Sequence, residues 1–242
     1  YKFICDFLNS NQEILYAVDE KQNIYKKDLN WVGKGRWGVL DQGYRLPKEK
    51  IEIINNFSKN FLENIKDSED NPYISPPDDN HLSLLPTASK SIWENVRFFS
   101  DVKIKVFNMI LYLKDKLAMK LSDIVILVDT HKEGIELRNF ISESFNNKIQ
   151  IMDVFMSKDS EKNKFKKYKF KINSPQLKMC TIHSFKGWEA RNVIIVIPNK
   201  NKIDNQIYTS LTRVQENLIV FNMMPRYNKF GSSYFDPLNL EN

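Results

Sequence analysis

Apolar residues fall along the chain in two rhythms, and each predicts a different element. Spacings of three and four mark amphipathic helices. Ile51, Ile54, Phe57, Phe61 and Ile65 follow Pro47, a residue suited to a first helical turn. The same pattern runs over Asp101–Leu117 and over Glu133–Phe145, where Ile135, Phe140, Ile141 and Phe145 form the inner face. Continuous apolar runs mark strands buried on both sides, at Asp123–Val128 (DIVILV) and Asn192–Ile197. Shorter strand candidates lie at Glu13–Val18, Ser91–Phe99, Gln150–Phe155, Leu177–Cys180 and Leu218–Phe221. Strand and helix alternate, which predicts an α/β fold with a mainly parallel sheet and helices on both faces.

Four stretches break these rhythms. Trp31–Leu40 holds three glycines and two tryptophans, a loop or hinge composition. Asp67–Pro86 carries Pro72, Pro76, Pro77 and Pro86 among Asp and Asn, and is predicted to be an irregular surface segment. Ser157–Lys171 interleaves seven lysines with Phe165, Tyr168 and Phe170. Two readings fit it: a track for a phosphate backbone with bases stacked on the rings, or a solvated excursion whose aromatics tuck against the sheet. Beyond Asn222 the chain is rich in Asn, Gly, Pro and Tyr without periodicity, and is predicted to wrap the surface.

Composition narrows the class. With 242 residues and 42% apolar content the chain can bury a substantial core. Lys and Arg number 36 against 30 Asp and Glu, giving a pI of about 9.1, a balance that suits a polyanionic partner. Cys5 and Cys180 are too few and too distant in sequence for a disulfide framework or a zinc site, which points to a reducing cytoplasm and to no metal site. No apolar run reaches the length of a membrane span. The chain opens at Tyr1 without a methionine, in the middle of what reads as a helix, so a fragment of a longer polypeptide is expected.

The candidate chemistry lies in four polar clusters. Thr181, His183, Lys186, Gly187 and Glu189 form a TxHxxKGxE pattern just after the strand at Leu177–Cys180. Tyr208, Thr212 and Arg213 form a YxxxTR pattern ahead of the strand at Leu218–Phe221. Functional residues of parallel sheets gather at strand ends, and both clusters are expected at one rim. Upstream, Gln22 and Tyr25 stand in VDEKQNIY, and Tyr44 and Arg45 in LDQGYRLP.

In order and spacing these clusters resemble the later motifs of UvrD/Rep-like superfamily 1 DNA helicases. VDEKQNIY is similar to the family's GDxxQSIY, with Val18 in place of the first Gly, and QGYR to its QNYR, with Gly43 in place of Asn. The resemblance implies a RecA-like P-loop NTPase-type three-layer sandwich and an ATP site between two motor domains. It makes Gln22, Arg45 and Arg213 the catalytic group, the two arginines neutralising the γ-phosphate and Gln22 coupling nucleotide to bound strand. Tyr44 would flank adenine, Glu189 would accept a ribose hydroxyl, and Gly187 would belong to the same ATP-binding turn. Thr181 and His183 would hold DNA phosphates, and Tyr25 or Trp188 would stack a base; Trp188 stands where the family has Leu. Residues 1–42 would be the trailing edge of the first motor domain, 43–222 the second motor domain and 223–242 a C-terminal tail. Motor strands and helices fill the interval from Arg45 to Thr181, so the accessory domain that the family inserts there is expected to be absent or reduced.

Phosphoryl transfer needs a phosphate cradle with its lysine and a carboxylate that holds magnesium. These residues contain no GxxxxGK[ST] motif and no clear magnesium-binding Asp-Glu pair. The expectation is therefore the C-terminal portion of an ATP-dependent DNA helicase or translocase, inactive alone. Its partners would be a missing N-terminal motor domain, which holds most of the Mg2+ coordination, and single-stranded or partially duplex DNA, with no membrane. The alternative is a noncatalytic nucleic-acid-binding or interaction module that retains the motor fold.

Overall fold

The computed structural model describes residues 20–22, 24, 46–62, 74–75, 89–156, 166 and 169–236. Within them six strands form one parallel sheet: β1 (Ser91–Asn95), β2 (Ile124–Val128), β3 (Ile151–Asp153), β4 (Leu177–Thr181), β5 (Ala190–Ile197) and β6 (Val214–Asn222). Their spatial order is β1-β6-β5-β2-β4-β3. Around the sheet pack α1 (Lys48–Phe61), α2 (Phe99–Leu111), α3 (His131–Ser144), α4 (Asp204–Leu211) and α5 (Asn228–Tyr234).

Successive side chains of a strand point to opposite faces, so one apolar run builds two cores. Val193, Ile195 and Ile197 of β5 join Leu218 and Val220 of β6 beneath α1, α4 and α5. Ile194 and Val196 join Ile219 and Phe221 beneath α2 and α3. The connections divide the same way. Those leaving β1 and β2 cross the α2/α3 face, and those leaving β4 and β5 return over the other, which makes the α/β sandwich doubly wound.

Several boundaries differ from the sequence reading for local reasons. The strand expected to reach Phe99 ends at Asn95, because Val96 N–H takes the Asn222 carbonyl, the last one β6 offers. Helix α3 starts two residues before the expected Glu133, because Thr130 and Glu133 form a reciprocal capping box, a T-x-x-E signal legible in the sequence. The last turn before Leu117 widens into a π-helical turn over Tyr112–Lys116.

The segment after Asn222 departs most. It was expected to wrap the surface without regular structure. Instead Pro225–Tyr227 forms a 3-10 turn that leads into α5, and Tyr227 and Phe230 enter the core against Phe57 and Phe61. The Tyr227 hydroxyl donates to Asp204 Oδ1 at 2.6 Å, fixing the start of α4. Gly231 lets α5 approach the Trp93 ring, where a Cβ would come within 2.1 Å. A helix of seven residues is too short to show a period, and its aromatics read as loop composition. The features expected at Glu13–Val18, at Trp31–Leu40, in most of Asp67–Pro86 and in most of Ser157–Lys171 lie outside the described residues, as do Tyr25, Tyr44 and Arg45.

Lys50 ties α1 to the sheet from a fully buried position, donating to the Lys90 carbonyl at 2.9 Å and to Ser91 Oγ. Burial lowers its pKa from 10.5 to about 8, partly offset by Glu49 and Asp236. Between those two values the unfolded chain holds a proton that the folded chain has released, so stability rises with pH across that window and the full penalty applies below it. Denaturant unfolding of wild type and Lys50→Met, followed from neutral pH upward, should show the wild type gaining on the variant between pH of about 8 and 10.5. Parallel stability curves would contradict this role for Lys50.

Candidate functional site

Thr181 is the last residue of β4 and pairs with Val128, so it stands at the rim formed by the C-terminal strand ends. Its hydroxyl donates to Ser184 Oγ at 2.9 Å and accepts the Ser184 N–H at 3.2 Å, which turns the chain off the sheet. Ile182 and Phe185 then sink into the core beside α4. Gly187 adopts φ of +90°, a conformation that side chains resist, and Trp188 and Glu189 lead straight into β5. The TxHxxKGxE connection therefore travels the length of the sheet, from one rim to the other.

Helix α4 makes the same journey. It begins after the C-terminal end of β5 and ends at Thr212, ahead of β6. Near its start Gln206 Nε2 lies 3.4 Å from His183 Nε2. At its far end the Arg213 carbonyl accepts the Ala190 N–H at 3.0 Å, so Glu189 and Arg213 flank the first rung shared by β5 and β6. The expectation of one rim is thereby corrected. Thr181 and Arg213 occupy opposite rims, because a connection between parallel strands must leave from one end and rejoin at the other. What the two clusters share is a face.

Across that face lies a segment remote in sequence. The 3-10 turn Glu20–Gln22 rests on α4, and Ile24 beside it is 5% exposed. Asn205 Nδ2 donates to the Lys21 carbonyl at 3.0 Å, and Lys186 Nζ to the Gln22 carbonyl at 3.0 Å. Arg213 Nη2 donates to Gln22 Oε1, while its Nε donates to the Thr209 carbonyl at 3.2 Å. Arg213 as a whole is only 7% exposed. The structure thus unites Gln22, Lys186 and Arg213, of which Lys186 had been given no role.

Glu189 is oriented by Gln215, whose Nε2 donates to Glu189 Oε2 at 3.2 Å. Nothing in the sequence marks Gln215; its role follows from register alone. Trp188, 41% exposed, sits two residues from the start of β5 and so at the opposite end of the sheet from Thr181 and His183. At the C-terminal rim Lys200 Nζ reaches the buried Asp129 at 2.8 Å, bridging the ends of β5 and β2. This is where neighbouring strands send their connections to opposite faces, the place in doubly wound sheets where ligands gather. Among the described residues no group of His, Cys, Asp and Glu could hold a metal ion, and no helix is long and apolar enough to cross a membrane.

No family model matches the chain, and no curated protein does. Among solved structures it is similar to the C-terminal domain of a possible DNA helicase from Lactobacillus plantarum WCFS1, with a TM-score of 0.50 and 13% identity, over 81% of this chain and 98% of that one. At that identity the likeness establishes the fold, a RecA-like α/β sandwich with a parallel sheet.

A substitution at Gly187 isolates the geometry of the crossing connection. Nothing lies within 4 Å of the position a Cβ would take, so Gly187→Ala adds backbone strain without a clash. It should destabilise the fold by about 1–3 kcal/mol in urea unfolding. An unchanged midpoint would mean that the left-handed turn is not needed to deliver Glu189 to its strand.

Proposed function

We propose that the chain is the C-terminal motor portion of an ATP-dependent DNA helicase or translocase of the UvrD/Rep-like kind. The observation that carries this reading is the meeting of Gln22 and Arg213, 191 residues apart in sequence, in a direct hydrogen bond. Independent surface roles would give no reason for those two side chains to meet, whereas a shared γ-phosphate site requires it. Arg213 and Lys186 supply the cations, and Glu189, held by Gln215 on the neighbouring rung, is placed to accept a ribose hydroxyl. Gly187 shapes the turn between them. The contributions of Tyr44 and Arg45 at the base and γ-phosphate, and of Tyr25 at the bound strand, rest on the motif resemblance.

In this reading ATP occupies the N-terminal rim, against a first motor domain that brings the phosphate cradle and magnesium. Single-stranded DNA follows the C-terminal rim, with its phosphates at Thr181 and His183. Trp188 falls on the nucleotide side, so a base stacked there would lie a strand length from those phosphates, and we assign it no DNA contact. Arginines that neutralise transferring phosphate contribute about 10³ to 10⁵ in turnover, a gain delivered by positioning and charge alone.

Two measurements follow. The 242-residue chain should hydrolyse no ATP above background, since no GxxxxGK[ST] is present to cradle the phosphates. In the protein encoded by the complete reading frame, single-stranded DNA should stimulate ATP hydrolysis, and Arg213→Ala should lower kcat by about 10³ or more while leaving DNA binding in place. Steady turnover by this chain, or full activity of the Arg213→Ala protein, would refute the reading.

A further inference from the structure

Arg97 and Phe98 carry the chain off β1 at the C-terminal rim. Val96 N–H still takes the Asn222 carbonyl at 2.8 Å, and the Phe98 carbonyl accepts the Asp101 and Val102 N–H groups at 3.1 and 3.2 Å. Phe98 is thus held in extended backbone between the last rung of the sheet and the first turn of α2. Its neighbour Phe99 packs against the core beneath α2 and α3, whereas Phe98 is 55% exposed. The Arg97 guanidinium lies over the Phe98 ring, 5.1 Å from its centroid, where a cation meets the negative face of the ring. The other well-exposed large apolar side chains among the described residues lie elsewhere: Ile104 within α2, Tyr234 at the end of α5 and Trp188 at the opposite rim.

We propose that the Phe98 ring, backed by Arg97, is a base-stacking platform for single-stranded nucleic acid crossing the C-terminal rim. The inference rests on the nucleic-acid part of the reading above and adds a binding residue to it. Sequence-tolerant binding of a single strand combines cations along the backbone with aromatic rings on which bases stack. Carboxylates of this rim are engaged within the protein: Asp129 by Lys200 at 2.8 Å, Asp204 by Arg226 at 3.2 Å, and Glu133 by Thr130. Lys132 and Lys202 stand exposed on the same rim, where they can meet phosphates. Beside the ring itself is Asp101, which takes the Ser100 hydroxyl at 3.3 Å. A carboxylate there disfavours a phosphate, so the ring takes an uncharged base. Four strand spacings separate β1 from β4, about 19 Å in all. At about 3.4 Å per stacked nucleotide, some six nucleotides join Phe98 to the phosphates at Thr181 and His183.

The test is titration of the 242-residue chain with a fluorescent oligothymidine of about twelve nucleotides, long enough to span the rim, at several salt concentrations. Phe98→Ala should weaken binding by about five- to 150-fold, the loss of one stacked base. The slope of affinity against salt should not change, because stacking releases no counterion. Phe98→Trp should bind at least as tightly as wild type, and Phe98→Leu, which keeps the apolar bulk, should behave like Phe98→Ala. A strand of equal length without bases should bind wild type and Phe98→Ala alike. Wild-type affinity in Phe98→Ala or Phe98→Leu, with His183→Ala weakened, would overturn the platform and leave the rim reading standing. So would an equal loss by Phe98→Ala for the strand without bases. No binding by the wild-type chain, or affinity indifferent to Phe98→Ala and His183→Ala alike, would overturn both.

Discussion

The parallel pairing of β5 with β6 is the constraint on which the other features depend. It runs from Ala190 opposite Val214 to Ile197 opposite Asn222, with one irregularity between Ala190 and Asn192. Each strand contributes apolar side chains to both cores, so a one-residue slip would exchange the residues facing α4 with those facing α2 and α3. Buried amides pin the register at both ends. Asn217 Nδ2 donates to Asn192 Oδ1 at 2.6 Å at one rim, and Asn222 Nδ2 donates to Asn95 Oδ1 at 2.9 Å at the other. With that register fixed, Glu189 and Arg213 must flank the same rung. The placement of Glu189 beside Arg213 is set by the ladder, while Gln22 is joined to Arg213 and to Lys186 by direct hydrogen bonds.

The same geometry separates the two polar clusters by the length of the sheet. The connection from Thr181 to Glu189 and helix α4 lie side by side on one face, joined near one end by His183 and Gln206 and near the other by Lys186, Gln22 and Arg213. An eight-residue helix spans about 12 Å. Its core side, Ile207, Tyr208 and Leu211, is buried, so it moves as a unit or not at all. In the proposed motor this pair of elements is the shortest path between a nucleotide at one rim and a nucleic acid at the other.

The parts of the fold that could be read from sequence were those with a period. The run in β5 and the spacing in α1 announced themselves, and the alternation of elements gave the parallel sheet. α5 could not be read, because Tyr227 and Phe230 owe their burial to Phe57, Phe61 and Trp93, which are far away in sequence. The site was legible as residue types: Glu189, Arg213 and Gln22 were all singled out by motif. Its arrangement was not. Whether two clusters share a rim depends on which end of a strand each precedes or follows, and that required the strand order. Gln215 and Asn205 carry no signal of their own, since one acts through register and the other through a main-chain oxygen.

The separation of the two rims is the central claim, and backbone amide chemical shifts test it most directly. The chain would be titrated with ATP and, separately, with a short oligothymidine. ATP should shift Glu189, Ala190, Arg213 and Val214, and the oligonucleotide should shift Thr181 to Ser184 together with Asp129 and Thr130, with α4 responding at the end nearer each ligand. Both ligands acting on one rim, or the oligonucleotide acting at Glu189 and Arg213, would contradict it.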